Sequence, residues 1–212
     1  MTDRSAIALG DPPTQLADFP RWRLRKRQTM WRAHTAGRSP WWFGSDNTGR
    51  FNLSTPHGTC YLATDITTAL RERFGPALVA QGLISATAAA ETLVSHLNPP
   101  KERQLADTTH AQAVRFGLTR ELFTIAADGY ELTRRWAAAL HAAGAAGIRY
   151  QSRFTSTARA NAFALFDTAG QHDWPNDPAP IPGTQACAAA DLTVLALPTR
   201  RQVRIIPPPG GV

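Results

Sequence analysis

The chain has 212 residues, 43% of them hydrophobic and 18% charged, which supports one domain with ragged ends and excludes a disordered chain. The formal net charge is +7, and all basic residues but Lys26 and Lys101 are arginines, whose planar forks suit phosphates and carboxylates. Such a chain has nucleic acid, a phosphorylated small molecule or an acidic protein as its natural partner classes. No apolar run reaches the roughly 20 residues of a membrane helix, and the start, Met1-Thr2-Asp3-Arg4, has no apolar signal region. These features predict a cytoplasmic protein without a membrane partner. Cys60 and Cys187 make no metal or redox pattern and read as free thiols.

In chain order, residues 1–20 are polar, interrupted by proline and without period, and read as a loose leader. The densest basic run, Arg21, Arg23, Arg25, Lys26 and Arg27, has the form of a solvated arm, although its alternation with Trp22 and Leu24 also fits an exposed edge strand. Residues 29–34 predict a short strand. Residues 36–52 are loop-like, with the aromatic cluster Trp41-Trp42-Phe43, which reads as packing within the loop before it reads as the wall of a site. Residues 59–63 predict a strand. Asp65 caps a helix over 66–74 that Gly75-Pro76 is expected to stop. Strands follow at 93–97 and 103–106, short helices at 109–116 and 120–125, and the clearest helix at 130–143, where Leu132, Trp136, Leu140 and Ala143 share a face. Gly144 and Gly147 end it. Further strands are expected at 148–154, 162–166, 192–197 and 202–206, and a loose tail at 207–212, so that one domain spans 21–206. Strands with short helices between them predict an α+β fold, not a doubly wound parallel sheet.

Common catalytic motifs are absent: no glycine-rich phosphate loop, no Gly-x-Ser-x-Gly and no His-Glu-x-x-His. The six histidines are scattered and form no ligand pair, so no metal is expected. What remains is a set of polar residues at the ends of predicted elements. Gly49-Arg50-Phe51-Asn52 lies on a turn, Tyr61-Leu62-Ala63 at a strand end, and Ala69-Leu70-Arg71-Glu72 on the following helix. Gly147-Ile148-Arg149-Tyr150-Gln151-Ser152-Arg153 stands far downstream. Taken singly, each has an ordinary explanation: Arg50 as a surface turn residue, Tyr61 as core packing, Glu72 as a solvated helix charge, Ser152 as a strand hydroxyl.

Taken in order and spacing, with Trp31-Arg32-Ala33-His34 before them, these five segments resemble the RES-domain family over roughly residues 29 to 167. The resemblance implies a fold like that of ADP-ribosyltransferases, a split, twisted β-core with flanking short helices and a cleft for NAD. It implies an enzyme of the toxin type that consumes NAD by hydrolysis or phosphorolysis, or in some members transfers ADP-ribose to a protein. NAD is then a substrate and no cofactor is permanently bound. It also implies a cognate antitoxin with a helix-turn-helix region that blocks the cleft; a homodimer is possible, and direct nucleic-acid binding is not expected.

The residue types suit that chemistry. Loss of nicotinamide passes through an oxocarbenium-like state, which a carboxylate stabilises; Glu72 takes this role. Arg50, with Arg32 as a second, is matched to the pyrophosphate. Tyr61 can stack on nicotinamide or hydrogen-bond the ribose, and Ser152 can hold the nicotinamide amide or a phosphate. Two other readings stand against the enzyme: a non-catalytic basic module whose arginines bind nucleic acid, and a RES-like protein with altered activity.

Overall fold

The computed structural model describes residues 9–125, 129–155 and 161–196. Twelve strands and five α-helices are formed there. In chain order they are β1 (Arg21–Leu24), β2 (Met30–Thr35), β3 (Trp42–Phe43), β4 (His57–Ala63), α1 (Ile66–Gln81), β5 (Ile84–Ser85), α2 (Ala86–Ala90), β6 (Thr92–Leu97) and β7 (Arg103–Asp107). A 3-10 turn (Ala111–Phe116) leads to α3 (Glu121–Thr124), α4 (Tyr130–Ala142), β8 (Gly147–Gln151), β9 (Asn161–Thr168), β10 (Gly170–Gln171), β11 (Ile181–Pro182), α5 (Gly183–Ala189) and β12 (Val194–Leu195).

Eight strands form one sheet in the order β1-β7-β8-β9-β4-β2-β6-β11. Only the β7–β8 pair within it is parallel, so the expected α+β class is the observed one. Alternation along β9 shows how the sheet separates its two cores. Ala162, Ala164 and Phe166 face a core shared with α4, which also takes in Trp136, Leu140 and Phe51. Phe163 and Leu165 face the other side, with Met30, Trp41, Phe43, Cys60 and Leu62. A third apolar group, including Leu70, Phe74, Val94, Ala186 and Cys187, holds α1 and α5 against β6. Cys60 and Cys187 are both buried free thiols.

The sheet is split at its centre. β4 pairs with β9 at seven positions, from His57↔Thr168 to Ala63↔Ala162, but with β2 at one, Trp31↔Ala63. Beyond that pair the two strands part. α1 packs against both of them and roofs the opening.

Several elements differ from expectation. α1 runs through Gly75 and Pro76 to Gln81 and ends on Gly82, whose N–H donates to the Leu78 carbonyl. A proline inside a helix costs about 3 kcal/mol; here burial of Leu70 and Phe74 with half-buried Leu78 offsets it. Asp65 caps the helix as expected, its carboxylate accepting from the Thr68 N–H at 2.7 Å. Residues 9–20 are not a loose leader: Leu9, Leu16 and Phe19 are buried in the α4-side core, and the Trp136 indole donates to the Gly10 carbonyl at 2.8 Å. Sparse anchors in a polar segment carry no period, which is why the packing was not legible. The basic run forms the edge strand β1 and the turn after it. The helix expected at 109–116 is the 3-10 turn, the strand at 148–154 ends at Gln151, and the one at 192–197 shrinks to β12. The strand expected at 202–206 and the tail at 207–212 lie outside the described residues.

Candidate active site

The opening between β2 and β4 is a cleft of about 420 Å³, within the range of small-molecule sites. Trp31, Arg32 and Ala33 of β2 line one wall, and Tyr61, Leu62 and Ala63 of β4 the other. Ala69, Glu72, Arg73 and Pro76, one face of α1, line the roof; Thr48, Gly49, Arg50, Tyr130, Tyr150 and Phe154 close the remaining sides. Four of the five predicted site residues, Arg32, Arg50, Tyr61 and Glu72, therefore meet in one cavity although they come from three elements and a loop.

Glu72 is fixed at both carboxylate oxygens. The Tyr150 hydroxyl donates to one at 2.9 Å and the Ser152 hydroxyl to the other at 2.5 Å. Burial, and then the neighbouring Glu72 charge, push the Tyr150 phenol well above its ordinary value, so it remains a donor. Ser152 itself is only 2% exposed and does not line the cavity. It lies behind the carboxylate, and its oxygen also accepts from the Phe154 N–H at 3.3 Å. Ser152 was expected at a ligand; here its hydroxyl is engaged with Glu72 behind the cavity lining.

Arg50 sits on a turn braced from every side. Its own carbonyl accepts from the Thr133 hydroxyl at 2.6 Å. The Phe51 N–H donates to the Tyr61 hydroxyl at 2.8 Å, and the Phe51 carbonyl accepts from the Thr59 hydroxyl at 2.9 Å. Asn52 accepts from the Tyr61 hydroxyl at 2.9 Å and donates back to Asp46. Gly49 is required because a Cβ there would come within 2.2 Å of the Asn52 side chain. The Arg50 guanidinium stacks on the Tyr130 ring, 5.1 Å from its centroid, and Nη2 donates weakly to its hydroxyl at 3.3 Å. Its Nη1 is buried without a hydrogen-bond partner. A buried donor left in that state costs about 1–3 kcal/mol.

Tyr61 presents its ring to the cleft, but its hydroxyl is committed to the Arg50 turn, and burial raises its pKa. That leaves ring contact, not hydroxyl bonding, as its way of meeting a ligand. Arg32 bridges the split: Nη1 donates to the carbonyls of Pro40 at 2.5 Å and Trp42 at 3.0 Å, and lies 2.7 Å from the Cys60 sulfur. The aromatic cluster packs largely inward, with Trp41 and Phe43 fully buried against Trp174 and Trp42 exposed. Sequence reasoning assigned no role to Tyr130, Tyr150 or Phe154. Tyr150 stood inside the quoted downstream motif, but nothing local showed that it reaches Glu72.

A family model for the RES domain matches residues 29–186. The chain belongs to the RES-domain family. Its fold is also that of a chain in the crystal structure of the M. tuberculosis MbcT–MbcA toxin–antitoxin complex, at a TM-score of 0.60 and 16% identity, covering 87% of this chain and 100% of that one. No curated protein matched. The motif segments that carried the resemblance fall on the RES cleft, from Arg32 on β2 to Tyr150 on β8. The basic run does not: β1 lies at the sheet edge, where Arg23 pairs with Glu102 at 2.6 Å and Arg21 donates to the Ala143 carbonyl at 2.6 Å. No helix is long and apolar enough to cross a membrane among the described residues.

Proposed function

We propose that this RES protein is an NAD-consuming enzyme of the toxin type, which breaks the bond between nicotinamide and ribose and passes ADP-ribose to water or phosphate. The observation that carries this reading is the doubly anchored Glu72 carboxylate in one cavity with the unsatisfied Arg50 guanidinium. Charge develops at two places in such a substrate. As the C1–N bond breaks, its electron pair moves to the pyridinium nitrogen and neutral nicotinamide leaves. The ribose carbon becomes oxocarbenium-like, and Glu72 faces that charge from a fixed position. The pyrophosphate is a permanent anion, and Arg50 meets it with a free donor. Tyr61 and Tyr130 supply flat surfaces on which rings can rest. Water or phosphate then adds to the ribose carbon, with a proton lost to solvent where water is the acceptor. Transfer to a protein side chain shares the same first step.

Control by an antitoxin belongs to this proposal. An acidic segment can enter the arginine-lined cleft in place of the pyrophosphate, and the net charge of +7 favours the encounter.

The test is incubation of the purified chain with NAD, with and without inorganic phosphate, and identification of the products. Nicotinamide should appear with ADP-ribose, or with its phosphate ester when phosphate is present. Glu72→Gln should lower the rate on the order of 10²–10³-fold while leaving the melting temperature near that of the wild type. Intact NAD after incubation with folded wild-type protein, or a Gln variant of near-normal rate, overturns the assignment.

A further inference from the structure

β1 ends the eight-stranded sheet, with β7 on one side and no strand among the described residues on the other. The ladder shows which backbone groups face that free side. The Asp107 N–H donates to the Pro20 carbonyl at 2.8 Å, so Pro20 and Asp107 stand at a hydrogen-bonded position. In an antiparallel ladder such positions recur at every second residue. Trp22 and Leu24 therefore bond Leu105 and Arg103 opposite them, while Arg21 and Arg23 turn their N–H and C=O groups outward. The far side of β7 agrees: Gln104, opposite Arg23, gives its carbonyl to the Ala146 N–H at 2.9 Å, away from β1.

The same edge is strongly basic. Arg21, Trp22, Arg23, Arg25, Lys26 and Arg27 line one open basin. Arg23 pairs with Glu102, but Arg25, Lys26 and Arg27 are exposed and take part in no ion pair among the described residues. The turn that carries them is held in place: the Gln28 N–H donates to the Arg25 carbonyl at 3.2 Å, and the Arg27 N–H to the Pro99 carbonyl at 3.1 Å. This charge limits what can pair with the edge. A second copy laid antiparallel would set arginine against arginine, which is unfavourable. The chain's own ends offer no opposite charge: residues 1–8 balance Asp3 with Arg4, and 197–212 hold three arginines and no acid. A polynucleotide brings phosphates for the guanidinium groups, but a phosphate has no donor for the two outward carbonyls. Trp22, the aromatic residue of the basin, is already engaged by the Phe163 ring at 5.1 Å and the Arg149 guanidinium at 5.2 Å, which leaves it poorly placed to stack on a base.

We propose that this edge docks an acidic, extended segment of a partner protein, which adds antiparallel to β1 as a further strand. Backbone bonds to Arg21 and Arg23 set its register, and its carboxylates answer the basic turn. A glutamate directly opposite Arg23 shares that residue's face of the sheet, and its own N–H and C=O point at β1. The surface lies apart from the cleft, because no residue of β1 lines the cavity of Arg50 and Glu72. Docking here therefore stands independently of any reaction in the cleft.

The experiment titrates the full chain against a fluorescent peptide of about eight residues, alternating glutamate and valine, at near-physiological salt, and reads anisotropy. The peptide should bind saturably, and its lysine–valine counterpart should not. N-methylation of the glutamates should weaken binding about tenfold or more, whereas N-methylation of the valines should change it little, because only the glutamate N–H groups face β1. Arg25→Glu and Lys26→Glu, at exposed turn positions, should each weaken binding on the order of fivefold or more at an unchanged melting temperature. No binding by the wild type, equal affinities of the two methylated peptides, or full affinity in both variants overturns the proposal. Tighter binding of a single-stranded oligothymidylate of matched charge, lost in the same variants, overturns it in favour of nucleic acid.

Discussion

Glu72 shows how a single carboxylate is held in place by hydroxyls distant in sequence. A glutamate on a helix has free rotamers, and holding it costs on the order of 1.5–2 kcal/mol of side-chain entropy. Two hydroxyls meet that cost from below, Tyr150 at 2.9 Å and Ser152 at 2.5 Å. Because both act through Glu72, Tyr150→Phe and Ser152→Ala should lower kcat, each roughly tenfold, with KM little changed. The double variant should lose less than the product of the two, since the pair serves one group. Steady-state kinetics with NAD check this; a raised KM at unchanged kcat in Ser152→Ala would instead make that serine a ligand contact. Arg50 poses the complementary case, a group that on the proposed reading meets the anion itself. Arg50→Lys keeps a charge but loses the fork and the stacking on Tyr130. NAD affinity should fall about tenfold or more, and Arg50→Ala further, as read by isothermal titration in the Glu72→Gln background. Normal binding with lysine at position 50 would remove the bidentate argument.

At the scale of the element, α1 and the segment after β8 are fitted to each other. Gly75 faces the Phe154 ring so closely that a Cβ would lie 2.4 Å from it, and Phe154 lines the cleft. Two effects oppose in Gly75→Ala: helix propensity favours alanine by about 1 kcal/mol, whereas overpacking against a ring typically costs about 1–3 kcal/mol. The clash should win. The variant should melt at a lower temperature and lose activity through a displaced Phe154; thermal unfolding with an NAD assay reads both. A higher melting temperature at full activity would show that the ring yields freely. This contact also explains what the sequence could and could not tell. Gly75-Pro76 reads as a helix stop by local chemistry, and only the burial of Phe74 and half-burial of Leu78, supplied by distant α5 and β6 neighbours, carries the helix past it. Arg50, Tyr61 and Glu72 were legible because each stands in a short motif at an element end. Their supports were not: Tyr150 and Ser152 lie 78 and 80 residues from Glu72 in sequence, and no periodicity reports a contact of that range. The same holds for Leu9, Leu16 and Phe19, whose burial depends on α4.

For the whole molecule, the split between β2 and β4 is the organising feature. A fully paired sheet would leave no room under α1; one pairing at Trp31↔Ala63 holds the two halves together while the cavity opens beside it. The cavity is not covered from within the described chain: none of its lining residues comes from the 9–20 segment, which packs on the α4 side instead. On the proposed reading, a cleft that the described residues leave open admits NAD whenever both are present. Expression of the chain alone should therefore slow growth of its host by draining NAD. The decisive comparison is between wild type and Glu72→Gln, induced in parallel at equal soluble levels, with cellular NAD and growth followed together. Wild type should lower both; the Gln variant, with the same charge-bearing surface but for one carboxylate, should lower neither. Equal toxicity from the two proteins would trace the harm to binding rather than chemistry, through the basic β1 edge or another surface. An unchanged NAD pool beside soluble wild-type protein would remove NAD consumption as the activity of this cleft in the cell.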